Sequence, residues 1–180
     1  MKKLIYLIAF ISINIFSQTK YLTKTGVVNF EASVPSVEEV KATNNAVTAI
    51  INSDNGEFAA LVLVKGFRFK NALMEEHFNE NYAESDTYPK ATFKGKIKGF
   101  SVDKINTTSS FTIDGALTFH GKTKQLKDVI LNITKSEDTI SISSNFSVNV
   151  SDFDIKIPKI VRNKISEKVE VSFDFNLKKK

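Results

Sequence analysis

Strict alternation of apolar and polar residues is the feature that most constrains how this chain can fold. From residue 169 to 178, every second position is Val, Phe or Leu, and the positions between them are polar. In an extended strand, a period of two places the apolar side chains on one face and leaves the other face wet. A similar period occurs at 111–120 and 140–150. Five further runs are predicted as strands, and they lie at 27–33, 40–51, 57–69, 91–100 and 127–135.

These eight predicted strands indicate an all-β fold. Short polar segments, such as Asn-Ser-Asp-Asn-Gly at 52–56, separate them and are typical of turns. Because most connections are short, consecutive strands should pair antiparallel. Eight amphipathic antiparallel strands leave exposed edges unless the sheet closes, so we predict an eight-stranded antiparallel barrel. A two-sheet sandwich is the alternative, since periodicity alone does not distinguish the two architectures.

Residues 71–82 are the exception and are predicted to form one short helix. Met74, Phe78 and Tyr82 recur every four residues, which gives an apolar stripe along one helix face. Two roles fit such a stripe. Either the helix plugs the core at one end of the barrel, or it forms a lid or wall at the entrance to a ligand cavity.

Residues 1–18 are predicted to be a signal peptide and are excluded from the fold. Lys2 and Lys3 precede an apolar run at 4–16 that is too short to span a bilayer comfortably. Cleavage is expected near Ser17 and Gln18. We therefore expect residues 19–180 to form one domain in the periplasm or outside the cell, with no stable membrane insertion after cleavage.

The composition argues against several classes of function. The chain has no Cys, so it has no disulfide, no thiolate metal site and no Cys nucleophile. Its formal net charge of +5 is too small to indicate a nucleic-acid partner. His77 with Glu80 makes only half of a metal site, so no metal is expected. The sequence contains no nucleophile elbow, no phosphate-binding Gly-rich loop and no zinc-protease motif, and we expect no enzyme activity.

Three segments resemble one known family. Residues 73–80 (Leu-Met-Glu-Glu-His-Phe-Asn-Glu), with Glu-Ser-Asp at 84–86 and Tyr-Pro-Lys-Ala-Thr-Phe at 88–93, resemble the central signature of the YceI-like family. Residues 115–124 resemble its Gly-x-Leu-Thr strand followed by a His-Gly-x-Thr turn. The segment from Ser-Asp-Phe-Asp-Ile-Lys-Ile-Pro at 151–158 to the last strand follows its C-terminal layout, except that Lys159 stands where a Gly is common.

Members of this family are secreted bacterial proteins with a lipocalin-like barrel that bind polyisoprenoid lipids. The resemblance therefore implies a lipocalin-like barrel domain at 19–180 that carries or sequesters a polyisoprenoid or a similar long-chain amphiphile. No cofactor is expected apart from such a bound lipid, and a homodimer is compatible with the sequence. The alternative is a barrel whose interior is filled by Phe and which acts, without catalysis, as a protein-interaction or stress-related module.

Candidate ligand-binding residues follow from the predicted inward faces and from the helix. Those expected to wall an apolar cavity are Phe67, Phe69, Leu73, Met74, Phe78, Phe93, Phe111, Ile113, Gly115, Leu117, Phe119, Phe146, Phe173 and Phe175. Gly115 is expected to leave space between its large neighbours. Those expected to meet a polar headgroup are His120, Lys156, Lys159 and Arg162. For His120 the alternative is a purely structural turn with Gly121 at positive φ, and for the three basic residues it is a solvated loop.

A long apolar tail needs few polar contacts to bind. Burial is worth roughly 0.8 kcal/mol per CH₂, so a five-carbon isoprene unit contributes at most about 4 kcal/mol before the costs of association. For this reason the sequence alone does not discriminate between a polyprenyl chain, a quinone tail and a fatty acid.

Overall fold

Eight long antiparallel strands close into a barrel in the computed structural model, which describes residues 19–35, 38–106 and 109–180. The predicted signal peptide at 1–18 lies outside the described residues. The long strands are β1 (Lys20–Ser33), β2 (Lys41–Asn52), β3 (Glu57–Leu63), β5 (Lys90–Ile97), β6 (Ser110–Phe119), β7 (Lys122–Ser136), β8 (Thr139–Asn149) and β9 (Ile165–Lys179). A two-residue strand, β4 (Arg68–Phe69), pairs with the beginning of β2.

The order of the strands shows that the sheet is closed. Neighbouring strands follow the order β1-β9-β8-β7-β6-β5-β3-β2, and β1 also pairs with β2. All of these pairings are antiparallel. The predicted barrel is therefore confirmed, and the sandwich alternative is wrong, because each of the eight long strands has a partner on both sides.

The predicted short helix is also confirmed, with an irregular end. Helix α1 (Ala72–His77) continues as one turn of π-helix (Phe78–Tyr82), in which the Ala83 amide donates to the Phe78 carbonyl at 2.8 Å. The remaining short elements are α2 (Val102–Ile105) and 3₁₀ turns at Val64–Gly66, Val150–Phe153 and Lys159–Val161. Within the described residues, no helix is long and apolar enough to cross a membrane.

Strands β1, β7 and β9 begin at least four residues earlier than the alternation predicts, because bulges interrupt the period of two. In β7, Val129 is opposite Ile113 on β6, but Leu126 is opposite Gly115, so β7 contains one extra residue between these two pairs. Asp128 lies in this bulge with a φ of 53°. The inward-facing residues of β7 are odd-numbered after the bulge and even-numbered before it. A bulge therefore breaks the sequence pattern while the strand itself continues.

One half of the barrel is filled by side chains. At mid-height, Phe58 lies between three other rings, with centroids 6.2 Å from Phe93, 6.4 Å from Phe173 and 6.1 Å from Phe175. Beyond these rings the interior consists of closely grouped, buried aliphatic side chains, among them Ile51, Ile97, Ile113, Leu131, Ile133, Ile140, Ile142 and Leu177. We call Phe58, Phe93, Phe173 and Phe175 the aromatic layer.

Gly115 does not leave the space that we expected. A Cβ atom at this position would collide with the ring of Phe93 and lie 2.7 Å from the carbonyl oxygen of Lys94. The missing side chain thus makes room for the ring of Phe93, which belongs to the aromatic layer.

This close contact generates a prediction about stability. Gly115→Ala should lower the free energy of unfolding by about 1–3 kcal/mol, because overpacking a filled core forces rings and backbone to move. Phe93→Leu in the same chain should recover part of that loss, since it removes the ring that a Cβ atom would meet. Chemical denaturation of the two single variants and the double variant measures the coupling. Additive losses would contradict the assigned contact.

Candidate functional site

The other half of the barrel contains a cavity of about 520 Å³ that opens to solvent and is lined mainly by apolar side chains. Four phenylalanines form its first wall. The ring of Phe30 on β1 lies 5.0 Å from Phe67, 5.7 Å from Phe69 and 5.2 Å from Phe78. These rings line the cavity and attach the helix to the barrel at the same time. Aromatic pairs at such distances are worth about 0.5–1.5 kcal/mol beyond the area that they bury.

The second wall comes from the connection between β8 and β9. Phe153, Ile155 and Ile157 alternate along this connection and all line the cavity. Phe119, at the end of β6, packs edge-on against Phe153 with the ring centroids 5.8 Å apart. We call residues 150–157 the inserted segment, because it fills an opening in the barrel wall. Strands β7 and β8 pair only between Asn132–Ser136 and Thr139–Ser143, so they diverge towards the open end.

Two ion pairs hold the inserted segment against β7. Lys124 Nζ lies 2.7 Å from Asp152 Oδ1, and Lys122 Nζ lies 2.7 Å from Asp154 Oδ2. The hydrogen bond from Lys124, followed by one from the Asn149 amide, holds the pKa of Asp152 below its usual value. Because the pKa is lower in the folded state, this contribution to stability is present at neutral pH and is lost as the pH falls through the acidic range.

His120 connects the inserted segment to the chain that follows the helix. Its Nδ1 lies 2.9 Å from the Phe153 carbonyl oxygen, which can only accept, so Nδ1 carries the proton. Its Nε2 lies 3.4 Å from Glu84 Oε1, and its ring meets Tyr88 at 4.7 Å. Gly121 has the expected positive φ, at 70°. His120 does not line the cavity, so its geometry fits the structural alternative better than a headgroup contact.

Polar contacts also fix the helix beside the cavity. Arg68 Nη1 donates to Glu75 Oε1 at 2.9 Å, and the Phe69 amide donates to Glu75 Oε2 at 3.2 Å. The Asn71 side chain caps α1 by accepting from the Leu73 amide at 2.9 Å. No residue of α1 or of the π-turn is fully buried, and several of them border the cavity. The helix is therefore a wall of the cavity and does not plug the core.

Half of the predicted cavity residues border this cavity, and they are Phe67, Phe69, Leu73, Met74, Phe78, Leu117 and Phe119. The others lie outside its lining. Phe111, Ile113 and Phe175 are buried in the filled half, where Phe93 and Phe173 pack against them. Gly115 faces Phe93, and Phe146 lies half-buried on β8 opposite Val171. The alternation assigned these residues to the correct face, but the aromatic layer decides which part of that face meets the cavity.

The predicted headgroup residues do not line the cavity either. Lys156, Lys159 and Arg162 are exposed beside it, on the connection between β8 and β9. The charged and polar side chains that do line the cavity are Glu38, Asn71, His77, Tyr82 and Lys164. The described residues contain no group of three or more His, Asp or Glu side chains that could hold a metal ion.

Sequence reasoning missed two of the phenylalanines that border the cavity. Phe30 lies in a predicted strand, where it alternates with the cavity residues Val28 and Ala32. Phe153 begins the alternating series through Ile155 to Ile157, in a stretch that was not predicted to be a strand. The period of two was therefore a usable signal at both places.

Comparisons with known proteins agree with this architecture. A family model described as YceI-like domain matches residues 21–177, whereas no curated protein sequence matches the chain. Similar solved structures include a polyisoprenoid binding domain from Saccharophagus degradans implicated in plant cell wall breakdown. It has a TM-score of 0.75 and 16% identity over 90% of this chain and 99% of that chain.

Two further structures are similar at comparable identity. BcnA from Burkholderia cenocepacia has a TM-score of 0.69 and 15% identity, over 84% of this chain and 95% of that one. The YceI protein of Campylobacter jejuni has a TM-score of 0.65 and 17% identity, over 82% of this chain and 89% of that one. At such identities the likeness shows the fold alone. The family model, however, extends from the beginning of β1 to the end of β9, and the chain therefore belongs to the YceI-like domain family.

Proposed function

We propose that this protein binds a lipid tail in the open half of its barrel and carries or sequesters it. The observation that carries the proposal is the apolar cavity of about 520 Å³, with the four-phenylalanine wall on one side and the inserted segment on the other. Cavities of about 300–1,000 Å³ with mostly apolar linings are typical of small-molecule sites. A polyisoprenoid is the favoured class, because a similar structure is described as a polyisoprenoid binding domain.

The aromatic layer limits how much of the tail can be buried. At about 30 Å³ for a water-sized group, which is close to the size of a CH₂ group, the cavity holds roughly 17 such groups. That volume corresponds to about three isoprene units, or to an ordinary fatty acid tail. We therefore propose that the buried portion of the ligand is short, and that any longer chain leaves through the mouth of the cavity.

A headgroup would meet mixed charges at the mouth. Lys164 and Glu38 both line the cavity, so a cation and an anion are available to a ligand there. This pair favours a small polar or singly charged headgroup over a highly charged one. We propose binding without catalysis, because the lining that a ligand would meet is mainly apolar.

A series of prenyl alcohols of increasing length tests the depth of the cavity. Affinity should rise steeply with each added isoprene unit, since each buried CH₂ contributes roughly 0.8 kcal/mol, and should level off at about three to four units. Displacement of a fluorescent fatty acid measures these affinities. A continued rise over much longer chains would contradict the closure of the cavity by the aromatic layer.

Filling the cavity tests whether it is the binding site. Ala91 lines the cavity on β5, and its neighbour Thr92 points to the opposite face. Ala91→Phe should weaken binding of the fluorescent fatty acid at least tenfold, because the new ring occupies the space for the tail, whereas unfolding should change little. Thr92→Phe on the same strand is the matched control and should leave binding unchanged.

The same experiment distinguishes a lipid-binding barrel from a barrel that acts as a protein-interaction module. Equal binding by wild type, Ala91→Phe and Thr92→Phe would remove the cavity as the site. No binding of any prenyl or fatty acid probe by the wild type would favour a protein-interaction module built on a largely filled barrel.

We also propose that the protein acts after export, in the periplasm or outside the cell. The proposal rests on Lys2 and Lys3 followed by the apolar run at 4–16. Intact-mass measurement of protein from the producing cell should place the mature N-terminus between about residues 17 and 20, in a soluble fraction. A full-length chain retained in the membrane fraction would contradict it.

A further inference from the structure

Ile160 is the most exposed large apolar side chain among the described residues, at 86%. It lies in the 3₁₀ turn Lys159–Val161, which backbone hydrogen bonds close on both sides. The Val161 amide donates to the Pro158 carbonyl at 3.0 Å, and the Lys164 amide donates to the Val161 carbonyl at 2.9 Å. The turn thus holds Ile160 outward. A single exposed Ile is common on protein surfaces, so its position and its neighbours must decide what it means.

Basic residues surround this side chain. Lys156, Lys159, Arg162 and Lys164 lie within nine residues of chain, and no acidic residue occurs between 155 and 166. Among the described residues, the three lysines form no ion pair. We call residues 156–164 the basic turn. It presents a local excess of positive charge beside an exposed apolar side chain.

The basic turn also borders the mouth of the cavity. Ile157 and Val161 line the cavity from within this stretch, and Lys164 does so at its end. On the helix side of the cavity, Leu73 is both a lining residue and 56% exposed. Exposed apolar side chains therefore stand on two sides of the opening.

We propose that the basic turn docks on an anionic lipid bilayer, with Ile160 inserted between the lipids and Lys156 and Lys159 against their headgroups. The mouth of the cavity then lies at the membrane from which the ligand is taken. This inference rests on the proposed lipid-binding function, since a ligand with a buried apolar tail resides in membranes. Partial burial of apolar side chains and attraction between basic residues and anionic lipids are the two forces that bind proteins to bilayer surfaces.

The charges on the helix side determine which edge makes this contact. Glu76 and Glu80 are exposed there, and they would be repelled by an anionic surface. The protein should therefore meet the bilayer with the basic turn first and hold the acidic helix away from it. This arrangement places the side of the mouth formed by Ile157, Val161 and Lys164 nearest to the bilayer that supplies the ligand.

Flotation with lipid vesicles tests the docking surface. The protein, free of bound lipid, should associate with vesicles of phosphatidylcholine and phosphatidylglycerol and much less with phosphatidylcholine alone. Ile160→Ser should lower the association about tenfold, because the side chain loses its apolar contact. Lys156→Gln with Lys159→Gln should lower it about fivefold per charge on anionic vesicles at low salt. Arg162 is left unchanged, because its Nε donates to the Ile157 carbonyl at 3.3 Å.

The chain supplies matched controls for both changes. Ile130 on β7 is 59% exposed and lies outside the cavity lining, so Ile130→Ser should leave vesicle association unchanged. Lys94 and Lys96 are exposed on β5, and Lys94→Gln with Lys96→Gln removes the same charge from a different surface. In vesicle-free solution, all of these variants should bind the fluorescent fatty acid as the wild type does.

The two readouts separate this inference from the proposed function. Loss of vesicle association in the basic-turn variants alone, with fatty acid binding intact, supports the docking surface. Equal losses in the control variants, or no association of the wild type with anionic vesicles, would overturn it, and a protein partner would then be the occupant to seek. A wild type that associates with vesicles but binds no fatty acid in solution would overturn the lipid-binding function and leave the surface standing.

Discussion

The stacking of four phenylalanines across the middle of the barrel is the interaction on which the rest of the structure depends. Phe58 touches the other three rings, and Gly115 gives Phe93 the room to reach it. This layer separates a closely packed half, which supplies the stability, from an open half that tolerates a cavity. An empty apolar volume weakens a core by removing contacts from its lining, so a barrel that keeps one needs a second region that is well filled.

The open half depends on polar contacts at its edges, because its apolar side chains cannot pack against one another across the cavity. Glu75 fastens the helix to β4, and Asp152 fastens the inserted segment to β7. His120 lies between the inserted segment and the chain that follows the helix, because its two ring nitrogens face the Phe153 carbonyl and the Glu84 carboxylate. These contacts tie both walls of the cavity to the barrel, so in the proposed function less ordering would be required when a ligand binds.

Charge is divided between the two sides of the mouth. The basic turn carries four cationic residues and the exposed Ile160, whereas the helix carries exposed glutamates. In the proposed function, the cavity would supply affinity through apolar burial, and the basic turn would decide where the ligand is collected. On these two proposals, substitutions in the basic turn and in the cavity should change two separable properties, vesicle association and ligand binding.

The sequence by itself determined the all-β class, the eight strands, the short helix and the family, because period-two alternation and the signature around 73–93 are local properties of the chain. It also assigned Phe111 and Phe175 to the inward face. Only the tertiary structure decided which inward residues meet the cavity, since rings from β3, β5 and β9 come together only when the sheet closes. The bulge in β7 and the divergence of β7 from β8 likewise depend on how separate strands pair. The position of Phe153 in the cavity wall also depends on the tertiary structure. Alternation specifies a face, whereas contact between faces depends on how the barrel closes around its largest side chains.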